Sequence, residues 1–525
     1  MHSRSTVIAK KGIVASSHEL ASFWGAEVLR SGGNVVDAAI TTSAILCVVQ
    51  NNQCGLGGDL FALIKCGESR VRGVNGSGRA GNGATIEFYE KIGQNIPKYG
   101  PLAALTVPGI VHAWGEMARK YGTMEMRDLL KPAIDYAESG FSPTKKYVES
   151  ISSTFDFRHE FEEWSRIFTP GGIVPTVGST FKQKDLASTL RSISDEGTQA
   201  FYSGSLMEKI VSGIRDAGGI LDKEDFVNHL TTWDEPIKTN YRGVDVYETA
   251  PNSQAATVIL WLNMLENFDL SSKKYDSKSL MKLFLETGLR AYSERAKRIA
   301  DPAFHKLPLE FESKEYASKV LSSSLGVGEP VGPKVPDGDT TYFSVADRDG
   351  NCASVIQSNY MSFGSGLVPK ETGVVLHNRG CYFSLDRSHH NSLLPGKRTF
   401  HTICASLGEK DRDTLFALGL MGGDIQPQVH VQLMTKILDF EKDIQEAIDD
   451  PRWVFPATIY ESPQTLLIEE DLESSLEGSR FDGLRTQVLQ GVSAQTGHAH
   501  GIWLYSQGNL AGGADPRGDG AAVGF

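Results

Sequence analysis

The apolar residues of this chain change their period near position 340, and that change limits the folds open to it. Before it, HELASFWGAEVLR (18–30), VVDAAITTSAILCVV (35–49), VPGIVHAWGEMARKYG, MRDLLKPAIDYAESG, LMEKIVSGIRDAGG, TVILWLNMLENF and SLMKLFLETGLRAYSERAKRIA carry apolar residues at helical spacing. After it, TTYFSVA, CASVIQS, VVLHN, TICASL, TLFALGL and GIWLYS read as strands, and QPQVHVQLMTKILDF and DIQEAIDD as helices. Between the two halves lies SSSLGVGEPVGPKVPDGD (322–339), rich in Gly, Pro, Ser and Asp and without helical period, hence a loop. It ends directly at Thr340.

Local signals agree with this division. Gly32-Gly33 stops the first helix, and Asn34 can cap the second, with Asp37 in its first turn. That second helix is apolar nearly all round and should be buried. FALIKCGESRVRGV (61–74) reads as two short strands around a turn, and DRDGN as a tight turn with Gly350 free to take positive φ. Residues 145–335 read as mostly helical. The expected picture is a helical cover on a β-rich second half, with no internal repeat. The length of 525 residues suggests two to four domains, or fewer if one large layered unit dominates.

Composition excludes several classes. The chain is 40% hydrophobic and 22% charged, with a formal charge of −12 and no Lys/Arg block of the kind a nucleic-acid binder carries. Its six cysteines form no CxxC pair and sit mostly in apolar runs, which fits a reducing compartment. MHSRSTVIAKKGIVASSH lacks the apolar core of a secretory signal, and AITTSAILCVV (39–49) is too short to span a bilayer. A cytoplasmic protein with neither a nucleic-acid nor a membrane partner is expected.

Familiar catalytic motifs are missing. GLGGDL (55–60) is not GxGxxG, and there is no Walker A loop, GxSxG elbow or HExxH. GHAHG places His498 and His500 on one face of a strand, but two histidines make a poor metal site. RGD (517–519) resembles an adhesion motif and is read as accidental.

The threonine pair Thr340-Thr341 is the better candidate for chemistry. A Thr hydroxyl is a weak nucleophile without an adjacent base. A Thr that begins a chain carries its own base, an α-amine with a reference pKa of about 7.7–8.0. That requires a cut just before the Thr, in a loop that ends where a strand begins, and 322–339 followed by Thr340 has this form. The competing reading is that β-branched Thr simply opens a strand well.

At GDTTYFSVADRDGNCASVIQSNYMSFGSG, followed by GVVLHNRG, the chain resembles the processing site and active-site strands of the γ-glutamyltransferase family. The resemblance extends to GGNVVDAAI (32–40), CGLGGDLF (54–61), APNSQ (250–254), PGKRTFHT (395–402), GLMGGD (419–424) and DPRGDG (515–520), in order along nearly the whole chain. It implies an α+β fold, the four-layer αββα sandwich of N-terminal-nucleophile hydrolases. It further implies autocatalytic cleavage at Asp339–Thr340 into a large subunit, 1–339, and a small subunit, 340–525. Thr340 would be the nucleophile, and Ser358 would keep the hydroxyl that supports it. The N–H groups of Gly422 and Gly423 would form the oxyanion hole. Arg79 would grip a substrate carboxylate.

Four departures fall in the implied substrate pocket. Tyr382 stands where the family places an aspartate for the substrate ammonium. His401-Thr402 replace its paired serines, and Tyr360 stands where Ser358-Asn359-Tyr360 displaces its asparagine. Arg379 adds a cation. The pattern resembles the amidohydrolase branch of the family.

Three functions remain open at this stage. The first is γ-glutamyl transfer or hydrolysis with glutathione-like donors. The second is hydrolysis of another small acidic amide, oxamate-like or an acylase substrate, held by Arg79 and Arg379. The third is a non-catalytic binding module, against which the intact Thr340 and Gly422-Gly423 argue. No metal or organic cofactor is required, the partner is a small-molecule amide, and a homo-oligomer of processed heterodimers is the expected assembly.

Overall fold

The computed structural model describes residues 4–93, 95–323, 338–411, 413–455, 464–472 and 484–525, and most of the 322–339 loop lies outside them. Its strands form two seven-stranded antiparallel sheets. The first runs Ala521–Gly524, Gly12–Ser16, Asp339–Asp347, Cys352–Tyr360, Asp59–Lys65, Arg72–Gly76, Thr232–Asp234. The second runs Val7–Ala9, Leu510–Ala514, His498–Leu504, Asp413–Met421, Ala405–Lys410, Val244–Glu248, Ile237–Tyr241.

The sheets face one another across Ile13, Leu63, Ala346, Leu407, Ala417 and Ile502, and across Phe61, Tyr342, Ile356, Ile403 and Ala405. The approach is close: a Cβ on Gly419 would stand 2.4 Å from the Tyr342 ring. Near one edge, Lys65 of the first sheet pairs with Glu409 of the second, both buried.

Helices cover both outer faces. Val35–Val49 is buried on every side, and with Glu19–Arg30, Ile110–Tyr121 and Met126–Ser139 it packs in one core with Val345 and Val355 of the first sheet. Ala256–Leu265, Lys278–Arg298 and Gln426–Leu438 share a core with Val246, Phe416 and Leu418 of the second. This is the expected αββα order. Asn34 caps Val35–Val49 as expected: its Oδ1 accepts the N–H groups of Val36 (2.8 Å) and Asp37 (3.0 Å), while Asp37 accepts the Asn34 N–H (3.0 Å). Gly350 takes φ 81° in its turn.

The division into a helical first part and a β-rich second part needs correction. Four strands come from the first 76 residues, and three more, Thr232–Asp234, Ile237–Tyr241 and Val244–Glu248, interrupt the region read as helical. Ile237–Tyr241 alternates buried and exposed, the period-2 signal of a strand. Each sheet takes strands from both sides of position 340, so 1–339 and 340–525 interleave in one body. VVLHN (374–378) forms no strand. It crosses Gly57 with a single parallel bridge at Leu376, and a Cβ on Gly57 would lie 2.1 Å from the Val375 carbonyl oxygen. Its apolar side chains are buried against the helical core, which gave the run its strand-like composition.

A buried ion network binds the small sheet Trp453–Val454, Gln464–Glu469, Leu484–Leu489 to the sandwich. Asp515 pairs with Arg452 (2.7 Å) and Arg517 (3.2 Å), and Arg517 also pairs with Glu469. Arg517, the first residue of the RGD triplet, is thus locked inside. Burial pushes the Asp515 carboxyl up, but the two arginines more than reverse this and hold it well below the usual carboxylate range. A depressed native pKa stabilises the fold above the unfolded value of about 3.9 and loses that contribution as pH falls below it. Asp515→Asn should therefore cost about 3–5 kcal/mol at pH 7. In scanning calorimetry, its Tm deficit should shrink as pH drops from 7 to 3; a constant deficit would show that the charge is not the stabilising feature.

Candidate active site

Thr340 lies in a central strand that pairs on one side, at Phe343–Asp347, with Gly12–Ser16 and on the other with Cys352–Tyr360. The second register slips at this point: Asp339 faces Tyr360 and Thr341 faces Gln357, so the single residue Thr340 is opposed by two, Ser358 and Asn359, and the extra residue of this β-bulge belongs to Cys352–Tyr360. Continuing the register of Thr341 and Gln357 by one residue sets Thr340 opposite Ser358, on the same face. Thr340 Oγ1 donates to Ser358 Oγ (3.1 Å), and Ser358 Oγ donates in turn to the carbonyl oxygen of Asp339 (2.7 Å). The Ser358 oxygen also accepts the Tyr360 N–H (2.8 Å). One hydroxyl thus joins the Thr340 oxygen to the carbonyl of the peptide bond preceding it. Thr341 Oγ1 is buried without a hydrogen-bond partner.

Gly422 and Gly423 follow the strand Asp413–Met421 and lead into the helix Gln426–Leu438. Gly423 has φ 56°, in the left-handed region that glycine tolerates. A Cβ on Gly338 would be 2.7 Å from the Gly423 Cα, so backbone meets backbone beside the Asp339–Thr340 bond.

Arg379 sits in the short turn Arg379–Tyr382 and is 1% exposed. Its Nη1 donates to Thr402 Oγ1 (2.8 Å), while Nε and Nη2 are buried without hydrogen-bond partners. The guanidinium lies 4.2 Å from the centre of the Tyr360 ring. Tyr360 holds φ 74°, a strained angle for an aromatic residue. Tyr382 packs edge-on against Tyr360 at 4.9 Å, and its hydroxyl donates to Asp424. Burial and the Asp424 anion raise the Tyr382 hydroxyl well above its ordinary value, so it stays neutral.

Behind this group, the His401 Nε2–H donates to Asp59 Oδ2 (3.1 Å), and Gly78 N–H donates to Asp59 Oδ1 (3.0 Å). The His377 Nδ1 lies 3.7 Å from the same carboxylate. Burial pushes the Asp59 carboxyl up, but the histidines and Arg379 more than reverse it, to about 2. Burial, with Arg379 adding to it, brings His401 down to about 3.

The bulge, Ser358, Tyr360, Arg379, Tyr382, Thr402, Gly422 and Gly423 therefore form one connected set. Gln254 closes it: Nε2 donates to the carbonyls of Thr402 (2.5 Å) and Gly423 (2.9 Å), and Oε1 accepts from Arg295 Nη1 (2.5 Å). Arg295 also pairs with Asp424 (2.9 Å). Arg79 is placed apart. It is half-buried, and its Nη1 donates to the Leu230 carbonyl (3.2 Å), which Arg398 also reaches. Asp59, Gln254, Arg295 and Asp424 received no role from the sequence, although CGLGGDLF, APNSQ and GLMGGD contain three of them. Arg295 had no such signal, as it lies mid-helix in Lys278–Arg298.

No group of three or more His, Cys, Asp or Glu side chains among the described residues could hold a metal ion. No helix among them is long and apolar enough to cross a membrane.

Comparison with known proteins agrees with this geometry. The family model described as gamma-glutamyltranspeptidase matches residues 21–525. The chain is 39% identical over 531 residues to the glutathione hydrolase-like YwrD proenzyme of Bacillus subtilis, covering 99% of each. It is 32% identical to the oxamate amidohydrolase proenzyme of Klebsiella pneumoniae, covering 100% of each. Among solved structures, a cephalosporin acylase from Bacillus halodurans superposes with a TM-score of 0.90 at 35% identity, covering 99% of this chain and 97% of that one. With its two facing sheets, its helical covers and a match along almost its entire length, the chain is an enzyme that belongs to the gamma-glutamyltranspeptidase family of N-terminal-nucleophile hydrolases.

Proposed function

We propose that this chain cleaves itself at Asp339–Thr340 and then hydrolyses a small amide that bears a carboxylate. The observation that carries the substrate reading is Arg379, a fully buried guanidinium with two N–H groups unpartnered. Leaving such donors unmatched is costly, and a planar carboxylate matches them two at a time.

The self-cleavage reading rests on the Ser358 bridge. Thr340 Oγ1 attacks the Asp339 carbonyl carbon and passes its proton towards Ser358, whose own hydrogen bond polarises that carbonyl. Collapse breaks the C–N bond, the Thr340 nitrogen takes up the proton released by the hydroxyl, and Asp339 is left esterified to the Thr340 oxygen. Water then hydrolyses the ester, freeing the Asp339 carboxylate and the Thr340 α-amine. The same oxygen next attacks the substrate amide, with the α-amine as base and the N–H groups of Gly422 and Gly423 facing the developing oxyanion. The leaving amine takes the proton, and water resolves the acyl-enzyme. An acceptor amine in place of water would give transfer. The names of the Bacillus subtilis and Klebsiella pneumoniae relatives, both proenzymes, agree with processing.

A γ-glutamyl substrate is the second reading, and Asp424 is the observation in its favour. An α-ammonium in this pocket needs an anion. Tyr382 supplies only a neutral hydroxyl, and the Asp424 carboxylate is already engaged by Arg295 and Tyr382. The first reading therefore stands ahead of it.

Intact-mass analysis followed by a substrate panel tests the proposal. Purified protein should appear as fragments 1–339 and 340–525, and Thr340→Ala as one uncut chain. Ser358→Ala should slow cutting about a hundredfold. Cleavage of Thr340→Ala at the same bond, without added protease, would refute self-processing. On the processed enzyme, oxamate and succinamate should outperform γ-glutamyl anilides. Arg379→Glu should lower kcat/KM for the acidic amides about a hundredfold, mainly through KM; unchanged kinetics would remove Arg379 from the pocket. Tyr382→Asp should improve γ-glutamyl turnover, read as kcat/KM for both substrate types, and no gain there would count against the missing anion as the barrier.

A further inference from the structure

Beside Arg379 lies a second fixed polar group. Asp59 stands directly opposite Ser358 in the register of Asp59–Lys65 and Cys352–Tyr360. Opposed residues of an antiparallel pair share a face, so the Asp59 carboxylate lies on the face that carries the Ser358 hydroxyl and its Thr340 partner. Asp59 and His401 are each 1% exposed. Because a carboxylate can only accept, the Asp59 contact fixes the His401 proton on Nε2. The ring is neutral, and its Nδ1 is then a bare acceptor. That Nδ1 is buried and has no hydrogen-bond partner, as are Nε and Nη2 of Arg379, whose remaining contact is with Thr402, the next residue along the chain. Gly78 N–H and His401 together fill both oxygens of Asp59, so the carboxylate is anchored and the imidazole cannot turn without losing its partner.

We propose that His401, held by Asp59, selects amides carrying at least one N–H, which Nδ1 accepts while Arg379 binds the carboxylate. This rests on the acidic-amide reading above and narrows it to primary and secondary monoamides of short dicarboxylic acids. A tertiary amide offers no N–H and would leave the buried Nδ1 unmatched. Sites built around a specific hydrogen bond reject analogues that lack it. Asp59 is a positioning residue here, since it acts through the imidazole and not on the substrate.

The test uses the processed enzyme with oxamate and succinamate and the N-methyl and N,N-dimethyl derivatives of each. For the wild type, kcat/KM should stay within a few-fold from the primary to the N-methyl amide. It should then fall about tenfold to a hundredfold at the N,N-dimethyl amide. An even decline with each methyl group would indicate crowding and overturn the proposal. His401→Gln can still donate to Asp59 but has no atom in the place of Nδ1, and should abolish the step between the N-methyl and dimethyl amides. His401→Asn, whose Oδ1 falls near the Nδ1 position, should restore it. A full step in His401→Gln would also overturn the proposal. If that variant does not fold, the wild-type series still decides. Efficient turnover of a γ-glutamyl anilide with none of the six amides cleaved would overturn the acidic-amide reading itself. Turnover of all six without an N–H step would overturn only the role of His401.

Discussion

The structure depends on pinning Thr340 inside a sheet rather than at its edge. The strand that begins at Asp339 is interior to its sheet, paired with Cys352–Tyr360 from its start and with Gly12–Ser16 from Phe343 to Asp347, and its inner face packs on the opposite sheet through Tyr342. A chain cut at its first residue therefore releases an end without releasing the strand. The regular register of Tyr342–Ile356 and Thr341–Gln357, continued by one residue, sets Thr340 opposite Ser358, and the slip comes just beyond, where Asp339 faces Tyr360 and the partner strand holds one residue more.

Around that point, the placement of charge does the discriminating. The site buries two arginines and Asp59, with Asp424 half-buried beside them and histidines that burial keeps neutral. Arg295 is satisfied by Asp424 and Gln254, which lock the glycine turn at 422–423 to the helix Lys278–Arg298. Arg379 is not satisfied in this way. Its nearby anion, Asp59, spends its two oxygens on Gly78 and His401 instead. The positive charge is thereby stabilised at a distance while Nε and Nη2 keep no hydrogen-bond partner. A buried cation held so is pre-organised for an anionic ligand, because little rearrangement is needed when the ligand arrives.

Much of this was legible in the sequence. The capped, all-apolar helix Val35–Val49, the hairpin around Gly350 and the glycine pair at 422–423 follow from local rules: capping chemistry, turn residues, and backbone angles that only glycine takes easily. Motif order along the chain identified the family. Strands 232–248 escaped because short strands between helices carry too few residues to establish a period of two. The VVLHN run misled because burial on all sides and burial within a sheet select the same β-branched residues.

The sequence by itself determined the residue types at the site, the point at which the chain resembles a processing site, and the two-period pattern that becomes a layered fold. Those are local properties, set by neighbours along the chain. Only the tertiary structure decided which threonine meets Ser358, since that depends on the register between two strands. It alone brought Asp59 to His401, Gln254 to Gly423 and Asp424 to Tyr382, and kept Arg79 with Leu230. Each of these contacts joins segments distant in sequence, and hydrogen-bond reach of about 3 Å is too short for any spacing rule to foresee.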